Sequence, residues 1–200
     1  LLGYGYPGGP VIDRIAPHGN PHAVSFTRPK MKGNALDFSF SGIKTAVLRY
    51  VQSHDLEAEI AERRAWRQQN PKATKEELLA HSSQKALDLV ASFRAAVVED
   101  LVEHVRDAAE QEGVNSIFVT GGVAANALLR ERLGGSSNQK SHGQKITDRG
   151  YHVPVYFPRL SLSTDNAAMI AAAAYPKFLA RDFASFDVTA DPSLALGSQA

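Results

Sequence analysis

The chain has 200 residues, of which 44% are hydrophobic and 22% charged, and these proportions are ordinary for a single globular domain or lobe. Its formal net charge of +1 provides no global field to attract nucleic acid, so any RNA contact has to come from a local patch. Cysteine is absent, which excludes disulfides and thiolate metal sites. The longest apolar run, residues 167–175, is shorter than the roughly 20 residues that cross a bilayer, and no membrane partner is expected.

The first part of the chain predicts mainly helices. A proline at an early helical position and a one-sided apolar pattern predict a short helix over residues 10–16. Polar and aromatic residues alternate over 37–40 and predict a half-buried strand, after which Ser41 and Gly42 cap a helix over 43–52. Residues from about 53 to 82 are rich in charge and broken near Pro71, which predicts a helical excursion that faces solvent and is not core.

A long amphipathic helix is predicted next, and it ends at Gly113. The apolar residues that recur at three- and four-residue steps, and that we expect to pack along a sheet, are Leu87, Val90, Phe93, Val97, Leu101, Val105 and Ala108. A strand over 116–120 and a helix over 124–133 follow, and this alternation of strand and helix is typical of an α/β layer.

The last part of the chain predicts three elements. A Gly/Ser/Lys-rich loop covers about 134–150, and a strand covers 153–157, where Pro154 favours a sheet edge or a strand start. An alanine-rich helix is predicted from 164 to about 179. Taken together, the predicted elements establish no more than the α/β class.

The most informative segment, residues 118–130, reads FVTGGVAANALLR and predicts a buried strand, a glycine turn and a helix start in succession. Gly121 and Gly122 would leave bare backbone N–H groups at a helix N-terminus, where an anion such as phosphate can approach. The alternative is a tight turn that needs glycine for a positive φ. Asn126 could recognise a ribose or an amide through its side chain, or it could simply cap the helix.

Ionisable residues give three further candidates. Asp165 follows Ser-Thr at a predicted helix start, where capping and the helix dipole alone would favour an acid. His18 and His22 have the spacing of a helical metal pair, but the Gly-Asn-Pro between them prevents a continuous helix, so we do not expect a shared metal. Residues 28–49 contain five basic residues and one acid, which predicts either a solvated basic loop or a site for RNA phosphates. Residues 140–149 form a second, poorer basic candidate.

Four motifs stand in series along the chain: YPGGP at 6–10, DFSFSGIKTAV at 37–47, the glycine segment at 118–130, and LSLSTDNAAMI at 160–170. In this order they resemble the C-terminal half of the tRNA N6-adenosine threonylcarbamoyltransferase family, formerly described as O-sialoglycoprotein endopeptidases. The resemblance implies a two-lobed actin-like ATPase (ASKHA) architecture with a mixed sheet flanked by helices. Residues 1–12 would end the N-terminal lobe and 13–200 would form the C-terminal lobe. Because the chain starts inside a motif and without Met, we expect it to be a piece of a longer protein.

The resemblance also implies an activity and its site. The parent protein would move a threonylcarbamoyl group from threonylcarbamoyl-AMP to N6 of adenosine 37 in tRNA, with an ATP- or AMP-type nucleotide as substrate or product. The residues that would bind this substrate are Gly9, Gly121, Gly122 and Asn126. Asp165 would bind one divalent metal, iron in preference to zinc, together with two histidines of the other lobe. The basic residues that would contact tRNA are Arg28, Lys30, Lys32 and Lys44.

The partners implied by the resemblance are tRNA, accessory protein subunits including an inactive paralogue, and an ATPase, all in the cytoplasm. Two alternatives stay open: a small-molecule kinase lobe of the same fold, and a non-catalytic scaffold paralogue that needs no metal. A protease has little support without cysteine or a His-Glu-x-x-His motif. We expect the 200 residues alone to be inactive, because half of the cleft would lie in the other lobe.

Overall fold

The computed structural model describes residues 1–27, 36–37, 39–134, 153–189 and 193, which belong to two compact units, Leu1–Thr164 and Asp165–Ala200. The helices are α1 (Gly8–Ile15), α2 (Ser41–Ser53), α3 (Glu57–Gln69), α4 (Lys75–Ala80), α5 (Gln84–Glu112), α6 (Ala127–Arg132) and α7 (Ala167–Ala180). The strands are β1 (Ile117–Phe118) and β2 (Val155–Tyr156), and 3₁₀ turns cover Ala16–His18, Gly122–Ala125 and Leu160–Leu162. None of the helices in the described ranges combines the length and the apolar character needed to span a membrane.

The 29-residue helix α5 is the central element of the first unit. The Ser83 hydroxyl caps its start by accepting from the Ala86 N–H at 3.2 Å. Gly113, in the left-handed region at φ 59°, ends the helix as predicted. Near its start almost every residue is buried, because other elements surround this half of the helix; the buried residues are Ala86, Leu87, Leu89, Val90, Ala91 and Ser92.

Three apolar clusters of the first unit all include α5. The first joins α5 to the N-terminal segment, α1 and α4, through Tyr4, Val11, Ile15, Ala16, Leu78, Leu87, Val90 and Ala91. The second joins α5 to α6 and the sheet, through Val98, Val102, Leu129, Leu133 and Val155. The third joins α5 to α2 and α3, through Val47, Val51, Leu56, Ile60 and Leu89.

The buried side of α5 is displaced by one residue in its second half. Val98 and Val102 are buried there, whereas Val97 and Leu101, which the periodicity predicted to face the core, are only half-buried. The displacement follows from the position of α6 and β2, which approach the helix from this side.

Strands β1 and β2 pair in parallel, with Ile117 opposite Val155 and Phe118 opposite Tyr156. The Ile117 N–H donates to the Pro154 carbonyl and the Val119 N–H donates to the Tyr156 carbonyl, both at 2.9 Å. Each strand has two residues, fewer than the predicted 116–120 and 153–157. A parallel pair connected through a helix confirms the α/β class in a helix-rich chain.

The strand predicted over 37–40 is wrong for the residues described there, 37, 39 and 40, which belong to no strand. Helix α2 begins at Ser41, the Ser39 hydroxyl accepts from the Ser41 N–H at 3.3 Å, and the N-cap position is held by Phe40. Ser41 is therefore inside the helix and does not cap it. Alternation over four residues sets side-chain direction only, whereas a strand also needs a neighbouring strand.

The charge-rich segment is helical and broken at Asn70, as predicted, but the expectation that it faces solvent and not core is wrong for one of its faces. Leu56, Ile60, Arg63 and Leu78 are buried and pack in the first and third clusters or beside them. Charged composition describes the outer face of such helices, and a few apolar residues at helical spacing are enough to bury the inner one.

Arg63, only 1% exposed, holds the N-terminal segment against α3. Its guanidinium donates to the Leu2 carbonyl at 2.7 Å, to the His81 carbonyl at 2.8 Å and to the Glu59 carboxylate. It also lies 4.4 Å from the centre of the Tyr4 ring. One buried cation thus joins the chain start to the ends of two helices.

Replacing Arg63 with Met is expected to lower the free energy of unfolding by about 3–5 kcal/mol, because two carbonyls and a carboxylate lose their donor. Arg64→Met, at the exposed neighbouring position, is the matched control and should change stability by less than about 0.5 kcal/mol. Urea unfolding of both variants measures the difference. Equal effects would contradict the structural role of Arg63.

In the second unit, α7 begins later than predicted, at Ala167, and ends at Arg181 in the left-handed region at φ 55°. Lys177 is the one charged residue of this helix, and its other residues are apolar or aromatic. At its C-terminal end, the Phe178 and Phe183 rings meet edge to face, with centroids 6.1 Å apart, and the Lys177 ammonium lies 3.8 Å from the Asp182 carboxylate. The loop predicted over 134–150 lies outside the described residues except for Gly134.

Candidate functional site: a glycine turn and the start of α6

The glycine turn follows β1 directly. Gly121 has φ 81° and ψ 179°, a combination that is essentially restricted to glycine, and its carbonyl accepts from the Ala124 N–H at 3.0 Å. At Gly122 φ is not positive, and a Cβ added there would meet nothing within 4 Å. The backbone therefore explains Gly121, while neither strain nor crowding within the described residues explains Gly122.

The two glycines do not open an α-helix, contrary to the prediction. They lead into a 3₁₀ turn, and α6 begins only after Asn126, whose φ of −62° and ψ of 121° interrupt the helical path. The Ala127 N–H at the start of α6 donates to the Asp13 carboxylate at 3.1 Å. The positive end of α6 thus already faces a carboxylate of the same chain, which disfavours a second anion there.

The first N–H groups of the 3₁₀ turn are open donors of this segment. The backbone N–H groups of Gly122 and Val123 have no acceptor within the described ranges, and both residues are exposed. Successive unpaired N–H groups in a tight turn form a small anion-binding surface. The glycine turn itself therefore offers open N–H donors for an anion.

Asn126 does cap α6, which was the simpler of its two sequence interpretations. Its side-chain oxygen accepts from the Leu129 N–H at 3.0 Å. The oxygen is therefore committed to the helix, and the NH₂ group of this half-buried side chain is the part that can reach a ligand.

Asp13 and Arg94 connect this segment to α1, and sequence reasoning missed both. Asp13 lies one helical turn after Gly9, and its carboxylate contacts Ala127, the residue next to Asn126. The predicted substrate-binding residues Gly9 and Asn126 therefore lie on adjoining segments. The Arg94 guanidinium donates to the Asp13 carbonyl at 3.1 Å and lies 3.4 Å from the carboxylate oxygen Oδ1. Oδ1 is buried and makes no hydrogen bond within the described chain. An acid in a short amphipathic helix carries no sequence signal that would have identified this role.

Arg130 holds the glycine turn in place through hydrogen bonds, and sequence reasoning missed this residue as well. It is 7% exposed, and it donates to the Ala124 carbonyl at 2.6 Å, the Pro158 carbonyl at 2.8 Å and the Ser163 hydroxyl at 3.2 Å. The guanidinium also lies 4.7 Å from the centre of the Phe157 ring. Burial lowers the pKa of Arg130 from its ordinary value, but the guanidinium stays charged at neutral pH. One side chain thus joins the turn to the segment after β2.

We expect Arg130→Met to lower the free energy of unfolding by about 2–4 kcal/mol, because the buried Ala124 carbonyl and the part-buried Pro158 carbonyl lose their donor. Arg132→Met on the same helix is the control, since Arg132 is half exposed and lies 3.9 Å from the Glu99 carboxylate. An exposed pair of this kind contributes less than about 1 kcal/mol. Guanidinium unfolding of the two variants gives the comparison, and a control as damaging as Arg130→Met would argue against the assigned role.

Asp165 opens the second unit and is exposed. The cap of α7 is the neighbouring Asn166, whose side-chain oxygen accepts from the Met169 N–H at 3.0 Å, so capping does not account for Asp165. Across the described ranges, no group of three or more His, Asp or Glu side chains could hold a metal ion. The exposed carboxylate suits one hard ligand of a metal, and the described residues supply no complete set.

The other predicted residues are dispersed. Gly9 lies exposed in the first turn of α1, where a Cβ would meet nothing within 4 Å, and Lys44 lies exposed in the first turn of α2. His18 ends a 3₁₀ turn and Gly19 is extended, so His18 and His22 share no helix, as predicted. The basic residues that lie outside the described residues are Arg28, Lys30, Lys32, Lys140, Lys145 and Arg149.

The described residues thus define a helix-rich α/β unit in which a glycine turn follows a parallel strand, and open α/β proteins commonly bind ligands at such strand ends. The sequence model of the tRNA N6-adenosine threonylcarbamoyltransferase family (TsaD) matches residues 1–172, which include all four motifs. The chain belongs to this family. The resemblance drawn from the motifs is therefore confirmed.

Curated relatives named tRNA N6-adenosine threonylcarbamoyltransferase are similar along almost the whole chain. The protein of Koribacter versatilis (strain Ellin345) is 44% identical, over 98% of this chain and 52% of its own length. The Moorella thermoacetica protein is 39% identical, over 98% of this chain and 47% of its own length. A Clostridium kluyveri protein is 41% identical, over 99% of this chain and 48% of its own length. The chain thus spans about half the length of the curated relatives it matches.

Proposed function

We propose that the full-length protein transfers the threonylcarbamoyl group of threonylcarbamoyl-AMP to N6 of adenosine 37 in tRNA. The observation that carries this proposal is the family match over residues 1–172, which includes Gly9, the glycine turn, Asn126 and Asp165 in one alignment. The relatives reported above carry the transferase name, which favours this function over a kinase lobe or a non-catalytic paralogue.

The proposed architecture is the actin-like ATPase fold, with residues 1–12 ending one lobe and 13–200 forming most of the other. In this arrangement β1 and β2 are part of a larger mixed sheet. The parallel pairing of the two strands and their connection through the glycine turn and α6 support this proposal.

The proposed reaction is a transfer between an anhydride and an amine. The N6 amine attacks the carbamoyl carbonyl carbon, a carbon–nitrogen bond forms, the bond from that carbon to the phosphate oxygen breaks, and AMP leaves as N6 loses a proton. The N–H groups of Gly122 and Val123 would donate to negative charge on the adenylate, and the Asn126 NH₂ group would donate to an acceptor of the substrate. Gly9 would let the α1 backbone approach the same substrate.

Asp165 is the residue of this chain proposed to hold a divalent metal, with iron favoured over zinc. Its carboxylate is exposed and the adjacent cap is supplied by Asn166, so both of its oxygens could act as ligands. A metal bound there would supply Lewis-acid polarisation of a substrate oxygen. The proposed partners are tRNA, accessory subunits including an inactive paralogue, and an ATPase, and the proposed compartment is the cytoplasm.

Asn126 tests the proposal because its two roles can be separated. Asn126→Asp keeps an oxygen that caps α6 but replaces the NH₂ donor with an acceptor, so thermal stability should stay the same while kcat/KM for tRNA threonylcarbamoylation falls about tenfold or more. Asn126→Ala loses the cap as well and should cost about 1 kcal/mol. Both are measured in the full-length protein, and a fully active Asn126→Asp variant would reduce Asn126 to a helix cap.

The 200-residue chain alone should show no threonylcarbamoyl transfer in the same assay, because it corresponds to about half of each relative. The full-length protein is the positive control. Turnover by the 200 residues would contradict the proposal that the site is shared with a second lobe.

A further inference from the structure

A cavity of about 600 Å³ lies in the first unit, among the N-terminal segment, α1, α2, α3 and α5. Its inner wall is apolar and includes Ile12, Val47, Leu89, Val90 and Phe93. A volume of this size is typical of sites that hold a small molecule or a single nucleotide. None of the residues assigned to the glycine turn lines it.

The cavity carries positive charge without negative charge. Lys44 on α2 and Arg64 and Arg67 on α3 line it, and its lining contains no Asp or Glu. Lys44 and Arg64 are exposed, and neither forms an ion pair with a carboxylate within the described ranges. In a chain with a net charge of only +1, this is a local field that attracts an anion.

Arg67 differs from the other two cations because its position is fixed. Its guanidinium donates to the Tyr4 carbonyl at 3.0 Å and to the Asn70 carbonyl. The charge is therefore held beside the cavity, and less side-chain entropy is lost when a ligand binds.

We propose that this cavity receives one unstacked nucleotide of the substrate tRNA, an inference that rests on the proposed function. Its phosphate would meet Lys44 and Arg64, and its base would lie on the apolar wall, where Phe93 and the exposed Tyr6 are among the lining residues. RNA is commonly recognised in this way, by splayed bases against aromatic side chains and phosphates against cations. An acidic peptide would pair with the cations, but its carboxylate side chains would make few contacts with the apolar wall.

Gln68 and Gln69 allow a closely matched test. Both are exposed near the end of α3, but only Gln68 lines the cavity. Gln68→Glu adds a negative charge at nearly constant shape, so it should weaken binding of a labelled anticodon stem-loop RNA to the full-length protein about tenfold. Gln69→Glu adds the same charge next to it and should leave the affinity within about twofold. Fluorescence anisotropy measures the affinities, and melting temperatures verify that both variants fold.

A second pair tests the phosphate contact through its salt dependence. Lys44→Gln should weaken RNA binding and reduce the slope of log Kd against log salt by about one. Lys85→Gln, at an exposed position near the start of α5 and outside the cavity lining, should leave the slope unchanged.

The outcomes separate this inference from the proposed function. If the full-length protein modifies tRNA but Gln68→Glu binds the stem-loop as well as Gln69→Glu does, the cavity proposal is wrong and the transferase stands. Displacement of the RNA by a poly-glutamate peptide, with dependence on Lys44, would assign the cavity to an acidic peptide and overturn the proposal. A full-length protein that binds no stem-loop RNA would overturn both.

Discussion

The burial of one long helix from three sides is the constraint on which the first unit depends. Each of its three apolar clusters contains residues of α5, and near the start of the helix almost no face is left to solvent. The candidate site depends on the same helix, because Arg94 of α5 holds Asp13 and Val98 and Val102 support α6. The segments that carry Gly9 and Asn126 are therefore set by how they pack on α5, and a local loop conformation alone would not determine their positions.

Internal polar contacts decide which groups of the site remain open to a ligand. Asp13 takes the first N–H of α6, the Asn126 oxygen takes another, and Arg130 is committed to two carbonyls and a hydroxyl. Among the described residues, the N–H groups of Gly122 and Val123 and the Asn126 NH₂ group are donors that remain open at the turn. A negatively charged substrate would be repelled from the start of α6 by the fixed carboxylate and attracted to the turn beside it.

The charged residues of α3 show why composition is a poor guide to position. Arg63, Arg64 and Arg67 are within two helical turns, yet Arg63 is buried under the N-terminal segment, Arg67 is half-buried against backbone carbonyls and Arg64 is exposed at a cavity. Burying a cation is favourable only where carbonyls, carboxylates or aromatic faces compensate for lost hydration. Glu59 and the Asn70 carbonyl are local partners, but the other partners come from the chain start and from the end of α4, which are distant in sequence. The environments of the three arginines therefore depend on tertiary contacts.

The sequence by itself determined the family through its four motifs, the α/β class, the long helix with its stop at Gly113, and the glycine turn after a strand, because these depend on local periodicity and on glycine's freedom at positive φ. The tertiary structure alone decided that residues 37, 39 and 40 form no strand, that α3 and α4 contribute to the core, and that Asp13 occupies the start of α6. The physical reason is that strand pairing, burial and the partner of a helix end require groups from distant parts of the chain. Asn126 lies between these cases, since its capping role is local and the orientation that leaves its NH₂ group open is set by the packing of α6.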